Sequence, residues 1–272
     1  MLGKLMKHEW TSVWKIPTLL IGILLLVTLL CGATFALPVW DSGWIGLPLS
    51  AFSMFLMYYM AIIVCSIGTS VYLAVRFYKS MFTDEGYLTH TLPATSHQLL
   101  LSKVITMSIW YLIASISIII SIVMLVGSVA FFWMDNFSDI GYAFRSIMHE
   151  MAQFSELDGL FGLMVTTAVM IIVSTFSGSM TVVGAVSIGQ MLRKHRVLGA
   201  IGAYFGINMV MQTVSTIVMF PVMFGVSMSM DESNLISSYI LIYWIITLIS
   251  LAVGVGLYFL SEYLIRRQLD LE

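Results

Sequence analysis

Residues 16–39 read IPTLLIGILLLVTLLCGATFALPV, an apolar run with no charged residue. About 20 residues of helix, rising ~1.5 Å each, cross the roughly 30 Å hydrocarbon core of a bilayer, so this run is long enough to span it. Five comparable runs follow, at roughly 47–75, 104–134, 160–190, 198–226 and 235–264. Several are longer than a bilayer requires, which predicts tilted helices or helix continuing beyond the lipid. Composition agrees with the runs. The 272 residues are 60% hydrophobic and 10% charged, with a mean hydropathy of +0.99. A water-soluble fold of this length has no means of burying so much apolar surface.

The charges between the runs set the expected topology. Lys4, Lys7 and Lys15 precede the first run, and Arg76, Lys79 and Lys103 lie between the second and third. Arg193, Lys194 and Arg196 lie between the fourth and fifth, and Arg266 and Arg267 follow the sixth. Of the 12 Lys and Arg residues only Arg145 falls in an alternate loop, and those loops carry Asp41, Asp135, Asp139, Glu150, Glu156, Asp158, Asp231 and Glu232. This positive-inside bias predicts that both termini are cytoplasmic. The fold class expected is therefore an all-α polytopic membrane protein: six transmembrane helices in a single domain over 1–272, with an N-terminal interfacial helix and a cytoplasmic coupling segment. A cleaved signal peptide is not expected at the start, because the first run is long and leads into further spans.

Two amphipathic stretches border the spans. In 2–15, Leu2, Leu5, Met6, Trp10, Val13 and Trp14 approximate one helical face, while Lys4, Lys7, His8, Thr11 and Lys15 fall mostly on the other. This predicts a helix along the inner leaflet with its tryptophans near the headgroups, before Pro17 opens the first span. A positively charged topogenic tail is the simpler reading. In the outer loop 135–158, Ile140, Phe144, Ile147, Met148 and Met151 recur at helical spacing, consistent with an interfacial helix or a lid over a passage.

The spans hold almost no ionisable group, which argues against a proton- or sodium-coupled carrier. Glu262 lies near the inner end of the last run, within reach of water. His8, His90, His97, His149 and His195 are dispersed without ligand spacing, and no nucleophile pattern or GxxxxGK[ST] phosphate loop is present. Enzymatic activity and a cofactor or metal held by this chain itself are accordingly not expected. Cys31 and Cys65 read as buried thiols, and the absence of basic runs disfavours nucleic acid. Gly178, Gly184, Gly189 and the Gly202/Gly206 pair read as helix-packing positions. Asn208 and Gln212, one turn apart, are candidate passage-lining residues or partners across a helix interface. Phe131, Phe132 and Trp133 ahead of the acidic loop suit cationic amphipathic cargo and suit an aromatic belt equally.

The loop RFYKSMFTDEGYLTHTLPATSHQLLLSK, residues 76–103, is organised differently. Thr83 ahead of Asp84 and Glu85 can start a short helix, with its donors capped and its positive end compensated. Gly86 permits a tight backbone, Tyr87, Leu88 and Leu92 offer an apolar docking surface, and Pro93 ends the element. Ser96 is the expected cap of a helix beginning near His97, which re-enters the membrane past Lys103, whose stem is expected to snorkel. The pattern predicts a compact knob carried on two membrane helices; a plain turn is the simpler alternative.

This chain resembles the ABC-2 type permease family, the membrane subunits of one class of bacterial ABC transporter. The resemblance rests on KLMKHEWTSVWK at 4–15, FTDEGYLTHTLPATSHQLLLSK at 82–103, and six spans with inward termini. It implies that Asp84, Glu85, Gly86, Leu88, Leu92 and Pro93 belong to the segment that couples to an ATPase, followed by Ser102 and Lys103. It further implies a half-transporter in the inner or plasma membrane that dimerises, with itself or a related permease, and binds cytoplasmic ABC ATPase subunits. ATP and Mg²⁺ would be held by those subunits, and the cargo would be hydrophobic or amphipathic and exported. One departure concerns the re-entrant hairpin that the family commonly places between spans five and six. Here the connection at 227–234 is short, and Phe220, Pro221 and Gly225 are expected to break span five into a reduced version. The competing reading of the whole chain is a non-transporting membrane scaffold or sensor partner.

Overall fold

The computed structural model describes residues 2–35, 46–83, 95–132, 145, 158–192, 195–228 and 232–267. Among these residues regular structure is exclusively helical. The helices are α1 (Leu2–Val13), α2 (Lys15–Phe35), α3 (Gly46–Phe82), α4 (Ser96–Phe132), α5 (Asp158–Gly189), α6 (Arg196–Met228) and α7 (Glu232–Arg267). Six of them, α2 to α7, are long and apolar enough to cross a membrane. The protein is an all-α polytopic membrane protein. Leu19, Leu26, Phe52, Val123, Phe205 and Met209 are all exposed on it, a surface that water would not tolerate and lipid requires.

The six expected runs coincide with α2 to α7, but the helices overshoot the apolar runs. α3 continues past residue 75 to Phe82 and α4 starts at Ser96, ahead of the apolar run at 104. Backbone hydrogen bonding does not stop at the edge of the hydrocarbon, so helix outlasts hydrophobicity. α6 also runs unbroken through Phe220, Pro221 and Gly225 to Met228, which corrects the expectation of a break there. Pro221 forfeits one ladder bond, and the surrounding turns continue the helix. The outer-loop stripe at Ile140, Phe144, Ile147, Met148 and Met151 lies outside the described residues.

The chain forms two compact units, the first comprising residues 1–12, 73–112 and 157–272 and the second 13–72 and 113–156. In the second unit, Leu24, Val27, Cys31, Tyr58 and Cys65 form the core. The two cysteines are buried free thiols, as their setting in apolar runs predicts. Tyr58 Oη lies 3.0 Å from Ser121 Oγ, giving a buried hydroxyl a partner in a medium without water. In the first unit α5 is the central helix, packed mainly on α7 and secondarily on α6. A Cβ on Gly184 would approach Leu257 Cβ to 3.0 Å, and one on Gly189 would strike the backbone of Ala200. Those two glycines are packing positions as expected. Among the described residues nothing approaches Gly178, Gly202 or Gly206.

Serines and threonines complete this interior. Ser177 Oγ donates to the carbonyl of Ser250 at 2.5 Å, and Ser108 and Ser179 hydroxyls are 2.7 Å apart. Many others donate to the carbonyl three or four residues back, as Thr28 does to Leu24 and Thr106 to Ser102, which satisfies the hydroxyl inside its own helix.

Candidate functional site

Residues 84–94, which contain the expected coupling positions Asp84, Glu85, Gly86, Tyr87, Leu88, Leu92 and Pro93, lie outside the described residues. Their two borders are described. α3 ends in a buried turn of Ser80, Met81 and Phe82, and the Thr83 hydroxyl donates back to the Lys79 carbonyl at 2.5 Å. Thr83 thus serves the end of α3, and the short helix expected after it falls outside the described residues. At the other border the N-cap is Thr95, whose Oγ1 accepts from the Gln98 amide at 3.3 Å, while Ser96 is already the first residue of α4. The expected cap at Ser96 is displaced by one residue, because two adjacent hydroxyl residues compete for the same role.

Two turns into α4 stands Lys103, with only 3% of its side chain exposed. The expectation that it snorkels to the surface is corrected: its ammonium is held inside. Nζ donates to Glu9 Oε1 at 2.5 Å and to Ser80 Oγ at 2.8 Å. Desolvating an ammonium is tolerable only when an anion and further acceptors replace the water, and both are supplied here. Glu9 is 17% exposed, so the pair keeps some solvent screening. Removal of the carboxylate would take from the buried ammonium the anion held at 2.5 Å. One nitrogen therefore ties α1, the end of α3 and the start of α4 together. Beside it, Trp10 stacks on Trp110 with ring centroids 4.7 Å apart and planes inclined by 20°, in the offset-stacking range for aromatic pairs.

A second tie joins α4 to α7. Tyr258 Oη lies 2.9 Å from His97 Nδ1, and the two rings meet edge to face at 5.7 Å. Glu262 Oε2 is 3.5 Å from the same imidazole nitrogen, while its Oε1 is 3.5 Å from Arg266. Glu262, expected near water at the end of the last span, is 16% exposed and lies between two basic groups. Both ties lie in the first compact unit and flank the segment 84–94. These groups link the ends of neighbouring helices.

Sequence reasoning missed Glu9, although a signal was present. Leu5, Glu9 and Val13 share one face at four-residue spacing, so the only acid of α1 sits on its apolar side. An acid placed there requires an internal cation. Trp110 carried no comparable signal among so many apolar neighbours.

Asn208 and Gln212 are both exposed on α6. Asn208 Nδ2 donates to the carbonyl of Tyr204, one turn back, at 2.8 Å. No element of the chain closes over them to form a cavity among the described residues. Comparison with protein-family models, curated proteins and solved structures finds no match to this chain.

Proposed function

We propose that this chain is the membrane-spanning permease subunit of an ABC transporter, exporting a hydrophobic or amphipathic substrate with ATP hydrolysis supplied by a separate subunit. The observation that carries the reading is the bracing around residues 84–94. That segment bears the acidic, glycine and Leu-Pro pattern of an ATPase-coupling element, and its flanking helices are cross-tied by Lys103 to Glu9 and Ser80 and by His97 to Tyr258. A coupling element transmits force only if the helices it pushes on move together. The two ties give α1, α3, α4 and α7 that property at the ends where the segment is attached. On this reading the segment and both termini are cytoplasmic, ATP and Mg²⁺ reside on the partner, and two permease copies, identical or related, complete the passage.

Tyr87, Leu88 and Leu92 would be the apolar anchors of the ATPase contact. Replacing Leu88 and Leu92 together with Ala should leave membrane abundance unchanged and reduce ATPase co-purification in mild detergent tenfold or more, since an apolar anchor contributes roughly 1–3 kcal/mol. Wild-type extracts that contain no ATP-hydrolysing subunit would sink the permease reading. Normal co-purification and normal transport by the double variant would remove these two leucines from the contact.

A further inference from the structure

In α1, Lys4, Lys7, His8 and Thr11 follow the spacing i, i+3, i+4, i+7 and are all exposed, so they form one continuous stripe along the helix. Thr11 donates to the carbonyls of Lys7 and His8 at 3.1 and 2.9 Å, closing the helical turn on which the basic groups stand. The only acid of α1, Glu9, points the other way and is consumed by Lys103. Among the described residues neither Lys4 nor Lys7 has a carboxylate partner. The charges of the outward stripe are therefore basic alone, with Glu9 on the opposite face against Lys103.

The level of the stripe follows from what α1 touches. Glu9 and Trp10 meet α4 at Lys103 and Trp110, the stretch over which α4 passes from its last charged residue into apolar sequence. Lysines and tryptophans are the residues that settle at the boundary between hydrocarbon and headgroups. Two ammonium groups on long, mobile stems present point charges without fixed geometry. That suits a fluid layer of phosphates better than a structured protein surface, which is recognised by planar, preorganised donors.

We infer that the Lys4–Lys7–His8 face of α1 is a binding surface for anionic phospholipid headgroups, with the one acid of the helix, Glu9, on the opposite face against Lys103. Attraction to an anionic surface contributes about fivefold per lysine. The inference is independent of whether the chain partners an ATPase.

Native mass spectrometry of the full chain in non-ionic detergent, titrated with dioleoylphosphatidylglycerol or dioleoylphosphatidylcholine, tests it. The wild type should bind the anionic lipid at least about tenfold more tightly, and raised salt should reduce the preference. K4Q/K7Q should bring the preference below about threefold, whereas K4R/K7R and K79Q, the latter altering an exposed lysine at the end of α3, should retain it. Equal binding of the two lipids by the wild type would overturn the inference. So would an undiminished preference in K4Q/K7Q, or a loss in K4R/K7R as large as in K4Q/K7Q. Thermal unfolding of each variant alongside the wild type separates lost binding from lost fold, and if K4Q/K7Q unfolds, the arginine variant and the salt dependence still decide the matter.

Discussion

Helices α5 and α6 are neighbours in the chain, of 32 and 33 residues, and both are rich in small and apolar side chains. Their surroundings are opposite. α5 buries Met180, Val182, Val183, Ala185 and Val186 and brings its glycines against Leu257 and Ala200. The membrane-length part of α6 is almost wholly uncovered, exposing Ile201, Phe205, Met209, Val210, Ile217 and Phe220 together with Asn208 and Gln212. Between apolar helices in lipid there is no hydrophobic drive to associate, so packing goes where shape and hydrogen bonds reward it. α5 finds both rewards inside the chain. On α6 a close approach is described near its start, where Gly199 lies against Gly189 and Leu192.

The contrast is most directly attacked at Gly189. Its Cβ position overlaps the Ala200 backbone, which has no rotamer to yield, so Gly189→Leu should destabilise the chain by about 3 kcal/mol or more. Thermal unfolding in detergent reads this, and an unchanged midpoint would show that the approach of α5 and α6 is not tight. A smaller effect belongs to Ser177, which donates to Ser250 at the crossing where Gly254 approaches. Ser177→Ala should cost about 1 kcal/mol, the scale of a hydrogen bond between membrane helices, and a neutral result would mean that shape alone holds α5 to α7. Smallest of all, Gly202→Leu with Gly206→Leu on α6 should shift stability by less than about 0.5 kcal/mol, because open space surrounds both. A large loss there would break the comparison by showing that α6 is covered in the folded protein, by a second copy or another chain.

How far sequence reached depends on the range of the interaction. The six spans were legible because a hydrocarbon slab imposes one length on every segment that crosses it, and α1 because its polar and apolar faces repeat with the helical period. The ends of α3 and α4 were less so, since helix persists beyond the apolar run and Thr95 and Ser96 are equally good caps by residue type. The glycines mark the limit clearly. Gly189 and Gly202 look alike in sequence, and only the arrival of Ala200 beside one of them makes it a packing site. The tie from Lys103 to Glu9 spans 94 residues and depends on where α1 docks, which local pattern does not encode. Of the expected site residues, the coupling positions at 84–93 are outside the described structure, while Asn208 and Gln212 stand exposed on α6.

The same long separation has a consequence for biosynthesis. Glu9 leaves the ribosome 94 residues ahead of Lys103, an interval of about 10 s at ~10 residues per second. Throughout it, Lys103 is not yet present to meet the carboxylate of Glu9. The arrival of α4 supplies that partner. An early segment thus acquires its folded contacts only when one made 94 residues later is in place.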